Sequence, residues 1–227
     1  MKPILRNTLL LLTLLTLVNA STAQDKLHIK FIGNCGLHLS DGATNIYTDF
    51  PYKSGAFGYM KYSNVELDSI EANSVFIFTH KHSDHYSKKI VRTLLKKRNC
   101  KEFTQWNKKK LLRHMEEEPN IDIKAFKNKH RFSFKHYSYL ITWNGKRIFL
   151  SGDTESAETI SQVENIDWAF VPSWLLDDAE EKGIQIEASM IGVYHLYPSE
   201  IEKSIKRWES SENIIPLTEQ GMYITID

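Results

Sequence analysis

Three imidazoles and one carboxylate fall between positions 80 and 85, in Thr79-His80-Lys81-His82-Ser83-Asp84-His85. Imidazole nitrogen and carboxylate oxygen are the usual non-thiolate ligands of zinc. A set built from them alone suits a catalytic site with an open position better than a closed structural one. The cluster directly follows Val75-Phe76-Ile77-Phe78, whose β-branched and aromatic composition predicts a buried strand. The donors therefore sit where a strand runs out into a loop. Side chains at i, i+2 and i+4 of an extended segment share a face, which sets His80, His82 and Asp84 toward one point and leaves His85 to face a second. One short loop thus has donors for two metal ions.

Residues 79 to 85 resemble the His-x-His-x-Asp-His signature of the metallo-beta-lactamase superfamily, a group of mostly hydrolytic, mostly di-zinc proteins. Other positions, in the right order, are similar to its remaining motifs. Asp49 ends the strand-like run from Asn45 to Phe50. By the resemblance it hydrogen-bonds the ligand loop without binding metal itself, whereas on local sequence alone it reads equally as a turn aspartate. His130 precedes a hairpin that runs into Ser151-Gly152-Asp153-Thr154, a layout that resembles the third and fourth motifs. His130 is preferred to His136 as the ligand because it reads as loop, while His136 abuts the next strand. His195 closes the apolar run from Met190 and resembles the fifth motif.

The resemblance implies a dinuclear centre with His80, His82 and His130 on one metal and Asp84, His85 and His195 on the other. Asp153 would bridge them. Two cations sharing a water lower its pKa to about 7, so that hydroxide is present at neutral pH to attack a carbonyl or phosphorus. Asp84 and Asp153 are the candidate catalytic carboxylates, placed to receive or return a proton. The expected cofactor is two divalent ions, zinc by default, although manganese and iron accept the same donors. A bridging aspartate resembles phosphodiesterase, lactonase and thioesterase relatives more than true beta-lactamases. The expected function is an exported metal-dependent hydrolase of a small ester, lactone or phosphodiester. A metal-binding or sensing protein of the same fold without turnover is the alternative, with a beta-lactamase or a ribonuclease Z-like nuclease behind it.

The elements that must hold these residues are partly legible. Leu27 to Leu39 alternates, and Asp41-Gly42 joins it to the run from Asn45 as a hairpin. Ser87 is placed to cap a helix with Ile90, Val91, Leu94 and Leu95 on its apolar face. Tyr137 to Trp143, Asn144-Gly145 and Arg147 to Leu150 form a second hairpin signal. Ser199 with Glu202 makes a capping box before a helix whose buried face is Ile201, Ile205 and Trp208. The aromatic stretch from Pro51 to Ser63 has no regular period and reads either as a substrate wall or as a small satellite core. Tyr52, Phe57 and Tyr59, with Trp174 after the strand-like run Ile166 to Val171, are the candidate substrate contacts. Alternating α and β elements with several hairpins are compatible with what the resemblance implies, an α/β fold arranged as a four-layer αββα sandwich of two mixed sheets.

Composition bounds the rest. Lys2 and Arg6, the apolar run from Leu9 to Val18 and the small residues ending in Ala23 read as a secretory signal peptide, residues 1–23, with Ala20 as the alternative cleavage point. Residues 24–227 then form one domain, exported to the periplasm or secreted, with no membrane anchor after cleavage. Against 28 acidic residues the chain has 29 Lys and Arg, and cleavage removes two of the basic ones. That even balance argues against a dedicated nucleic-acid binder and leaves a small molecule as the expected partner. Cys35 and Cys100, the only cysteines, read as buried thiols in preference to a disulfide, and neither is needed as a ligand.

Overall fold

The computed structural model describes residues 26–227, so the expected signal peptide lies outside the described residues. Two six-stranded sheets form the centre. The first holds β1 (Leu27–Gly33), β2 (Gly36–Ser40), β3 (Asn45–Thr48), β4 (Val75–Ile77), β5 (Lys101–Phe103) and the last strand, β12 (Tyr223–Ile226). Its order is β12-β1-β2-β3-β4-β5. The second holds β6 (Ile121–His130), β7 (Ser133–Trp143), β8 (Lys146–Leu150), β9 (Ile166–Pro172), β10 (Ala188–Tyr194) and β11 (Ile214–Pro216), in the order β11-β10-β9-β8-β7-β6. Each sheet is mixed. Strands β1 to β3 pair antiparallel and β3 to β5 parallel, as β6 to β8 pair antiparallel and β8 to β11 parallel.

The period-2 pattern decides which side chains meet between the sheets. Leu27, Ile29 and Phe31 of β1 and Leu37 and Leu39 of β2 point inward against Ile121 and Ile123 of β6, Tyr139 and Ile141 of β7 and Ile148 and Leu150 of β8. Each such aliphatic side chain contributes about 1.5–3 kcal/mol by leaving water. Two further apolar clusters cover the outer faces. Phe76, Phe78 and Tyr47 meet Val91 and Leu94 of the helix Lys88–Arg98. Leu140, Phe149 and Val171 meet Leu175 and Ala179 of the helix Ser173–Lys182 and Trp208 of the helix Ile201–Trp208. Helix, sheet, sheet and helix thus make four layers, as expected.

Asn144 and Gly145 both have positive φ, 49° and 80°, the conformation that a two-residue type I′ hairpin turn requires. Some local expectations are corrected. The loop expected around His130 is strand, because pairing with β7 carries β6 on to that residue. Ser87 stands just before its helix, at the N-cap, but makes no side-chain cap bond. Before the helix Ile201–Trp208, the Tyr197 N–H donates to the Glu200 carboxylate at 3.1 Å in place of the Ser199 and Glu202 box, and Ile205 is 48% exposed. Cys35 and Cys100 are free buried thiols in separate clusters.

Candidate metal centre

The ligand loop leaves β4 and does not stay extended. The His85 and Tyr86 N–H groups both return to the His82 carbonyl, at 3.0 and 2.9 Å, which folds the segment into a turn. That turn overturns the expectation that His80, His82 and Asp84 share one point. Asp84 Oδ2 instead lies 3.6 Å from His85 Nε2 and 3.3 Å from His195 Nε2. Asp49 holds the root of the loop. One carboxylate oxygen accepts the Thr79 N–H at 2.8 Å, and the other accepts the Thr79 hydroxyl at 2.8 Å and faces His85 Nδ1 at 3.0 Å. His85 is therefore oriented with Nε2 toward the centre. Asn34, which sequence reasoning passed over, ties two motifs together: its side-chain amide donates to the Asp84 carbonyl at 2.8 Å and its own carbonyl accepts the His195 N–H at 3.0 Å.

Two donor groups result, and both include Asp153. His80, His82, His130 and Asp153 form one, and His85, His195, Asp153 and Cys35 the other, with the ligand atoms in each group within 4.8 Å of one another. His130 Nε2 is 3.2 Å from His82 Nδ1 and 3.7 Å from Asp153 Oδ2, and His80 Nε2 is 3.8 Å from that oxygen. On the other side His85 Nε2 is 3.0 Å from Asp153 Oδ1, and His195 Nε2 is 3.2 Å from Oδ2. Ligand bonds near 2.1 Å in a tetrahedral zinc site set ligand atoms about 3.4 Å apart, and the pairs above lie between 3.0 and 3.8 Å. Buried His80 Nε2 and Asp84 Oδ1 have no hydrogen-bond partner, an arrangement that costs about 1–3 kcal/mol per atom unless something else satisfies them. The residues present fit a pair of divalent cations.

Charge balance supports that fit. Burial and the nearby His85 hold the His80 pKa well below the ordinary imidazole value, and burial lowers that of His130, so both are neutral and able to donate a lone pair. Burial also pulls His85 and His195 down, but the carboxylates around them, Asp153 foremost, outweigh it and raise both. Asp153 is pushed up by burial, yet His195 and His85 hold it well below the usual carboxylate range. Asp84 is pushed up by burial and lowered further by its hydrogen bond with His195. The buried carboxylates thus favour positive charge at His85 and His195, the kind of charge that cations would supply directly.

No protein-family model matches the sequence, and no curated protein matches it. Solved structures do match. A metallo hydrolase of Ignicoccus hospitalis, Igni18, aligns over 89% of this chain and 99% of its own, with a TM-score of 0.64 at 13% identity. YhfI of Bacillus subtilis, a metallo-beta-lactamase fold protein, aligns over 88% of this chain and 100% of its own, with a TM-score of 0.60 at 14% identity. This chain has the metallo-beta-lactamase fold. CmlA, a diiron beta-hydroxylase of Streptomyces venezuelae, is also similar, with a TM-score of 0.52 at 11% identity over 90% of this chain and 54% of its own.

Within this metallo-beta-lactamase fold, a cleft of about 590 Å³ leads to His82, Asp84, His130 and Asp153 and is bordered by Phe57, Tyr59, Phe132 and Tyr197. Tyr59 stacks on Tyr197 and meets the His195 ring edge-on, each at 4.1 Å between centroids. Trp174 packs edge-on against His195 at 5.1 Å and donates its indole N–H to the Thr154 carbonyl, behind the ligand and outside the cleft lining. Tyr52 does not border the cleft. It is 0% exposed among Phe50 and Tyr62, and its hydroxyl donates to the Met60 carbonyl at 3.0 Å.

Two further residues stand at the centre. His136, weighed against His130 as a ligand, is in neither donor group, and its Nε2 accepts the Asp153 N–H at 3.0 Å, which fixes the backbone of the shared carboxylate. Cys35 Sγ lies 3.8 Å from Asp153 Oδ1. Burial and then the Asp153 charge push its thiol well above the ordinary range, so it stands as a neutral S–H. Its place in Gly33-Asn34-Cys35-Gly36, a tight turn between two strands, was the one available signal.

Proposed function

We propose that this protein is a dinuclear metal-dependent hydrolase of a small ester, lactone or phosphodiester. The observation that carries the reading is the convergence of His80, His82, His130, His85, His195 and Asp84 on the two sides of one shared carboxylate, Asp153. Fold neighbours that include a metallo hydrolase support it. Divalent ions bound there would act as Lewis acids and bring a bound water within reach of deprotonation at neutral pH.

The chain's own residues set up the rest. Asp49 and His136 hold His85 and Asp153 in place through Nδ1 and the backbone N–H. Asp84, with one oxygen facing His85 and His195 and the other without a partner, is the carboxylate positioned to take and return the proton. Tyr59, Phe57 and Phe132 border the apolar side of the cleft, and Arg131 offers a cation to an anionic oxygen of the substrate. We further propose two zinc ions as the native metal and export by cleavage after Ala23, for which the mature N-terminus Gln24, read by mass spectrometry of the exported protein, is the check.

The test is elemental analysis for zinc, manganese and iron on purified protein, run beside bis(p-nitrophenyl) phosphate, an aryl ester, a lactone and nitrocefin as substrates. Iron belongs in the panel because CmlA carries a diiron centre on a related fold. His82→Ala and Asp153→Ala are expected to lose metal and turnover together. Full metal content with no turnover on any substrate would replace the hydrolase reading with that of a metal-binding or sensing module.

A further inference from the structure

The hairpin formed by β6 and β7 ends beside the metal centre in two phenylalanines that almost nothing covers. Phe132 is 92% and Phe134 is 95% exposed. Phe132 sits in the left-handed region at φ 60°, an uncommon conformation for a bulky residue that holds its ring outward at the turn. Trp106, 57% exposed, and Phe57, 68% exposed, add to the same end of the molecule, where Phe57 and Phe132 border the cleft. Single exposed apolar residues are ordinary, but a group of them around a site mouth marks an interaction surface.

The charge around this tip is mostly basic. Between Asp122 and Asp153 the sequence has no acidic residue, and Lys127, Lys129, Arg131 and Lys135 fall on the tip half of the hairpin. His130 pairs with Ser133 across the turn. At about 3.3 Å per residue, Lys129, Arg131 and Lys135 therefore lie within roughly 10 Å of the two rings. Lys135 Nζ sits over the Trp106 ring at 4.5 Å. The acidic side chain at this rim is Glu155, which accepts the Arg131 N–H at 3.4 Å and faces His130 inside the cleft.

We infer that the β6–β7 hairpin docks the mouth of the metal centre onto an anionic lipid surface, with Phe132 and Phe134 entering the acyl boundary and the cations at headgroup level. A protruding apolar wedge with basic residues set back from it matches that interface. A nucleic acid would call instead for aromatic platforms lying in a basic groove. Among the described residues no helix is long and apolar enough to cross a membrane. The tip also touches the site, since the Phe132 carbonyl lies 3.3 Å from His82 Nε2.

The inference concerns binding and holds whether or not the protein turns over a substrate. Metal-loaded mature protein beginning at Gln24 is sedimented with phosphatidylcholine vesicles with and without phosphatidylglycerol, and separately titrated into a labelled single-stranded oligonucleotide. Binding is expected on the anionic vesicles only, weakening with salt, and falling about tenfold for Phe134→Ser and again for Lys129→Glu with Lys135→Glu. Phe134 is almost fully exposed and belongs to neither donor group, so its variant is expected to keep metal content and melting temperature, which separates a docking defect from a folding one. Equal binding to neutral and anionic vesicles, unchanged binding by the Phe134 variant, or binding to the oligonucleotide in place of vesicles would overturn the inference.

Discussion

His136 carries a burden that a metal ligand does not. Its Nε2 must stay deprotonated to accept the Asp153 N–H, and burial lowers its pKa from 6.5 to about 3. The folded state therefore refuses a proton that the unfolded chain takes up below pH 6.5, so the contribution to stability is complete above that pH and declines as pH falls toward 3. In metal-free protein, urea titrations at pH 6.5 and 4.5 are expected to show a loss from this residue of roughly 2–3 kcal/mol. His136→Gln is expected to show a shallower decline over the same interval. An equal slope in both proteins would remove His136 from this role. Gly152, one position before Asp153, is constrained by the same ring. It sits at φ 59°, and a Cβ there would stand 2.5 Å from His136 Nε2 and 2.9 Å from Thr79 Cβ. Gly152→Ala is expected to cost about 2–4 kcal/mol from strain and overpacking, with lower metal content in the same preparation. A melting curve and metal analysis check both.

Among the elements, the stretch from Pro51 to Ser63 divides its aromatics between two tasks. Tyr52 and Tyr62 pack with Phe50 under the loop, and the Tyr62 hydroxyl donates to the Tyr52 carbonyl at 2.9 Å, while Phe57 and Tyr59 face the cleft. Tyr52→Phe removes one donor and leaves the packing intact. It is expected to destabilise by about 1 kcal/mol and to leave KM and kcat unchanged, whereas Tyr59→Ala is expected to change KM. A changed KM for Tyr52→Phe would return that residue to the substrate wall. The ligand loop shows the same split between local pattern and final placement. Its position after β4 follows from the apolar run that precedes it, but the turn closed on the His82 carbonyl sends Asp84 to the opposite side from His80.

At the scale of the molecule, the metal centre draws its donors from both sheets. Asn34, Cys35, Asp49 and the residues from His80 to His85 come from the first sheet and its loops, and His130, Asp153 and His195 from the second. Cations bound between them would bind only the folded arrangement, and would stabilise it by mass action, by about 4 kcal/mol at a free concentration a thousandfold above Kd. Chelation is expected to lower the denaturant midpoint by a corresponding amount and to keep a single transition, restored by adding zinc. A midpoint indifferent to chelator would show that the donors hold no ion in solution.

The chain by itself determined what depends on neighbours in sequence. Alternation marked the strands whose inner faces meet, Asn144-Gly145 marked a hairpin, and the crowding of donors from His80 to His85 marked the chemistry, because backbone period and turn conformation are set within a few residues. Only the tertiary structure decided that the ligand loop turns on the His82 carbonyl, that His136 stands behind Asp153, that Cys35 reaches the centre and that Tyr52 is core. The resulting placements rest on contacts between residues far apart in the chain, 118 positions for Cys35 and Asp153 and 111 for Asp84 and His195, and packing of two sheets leaves no periodic trace of such pairs in either partner's local sequence.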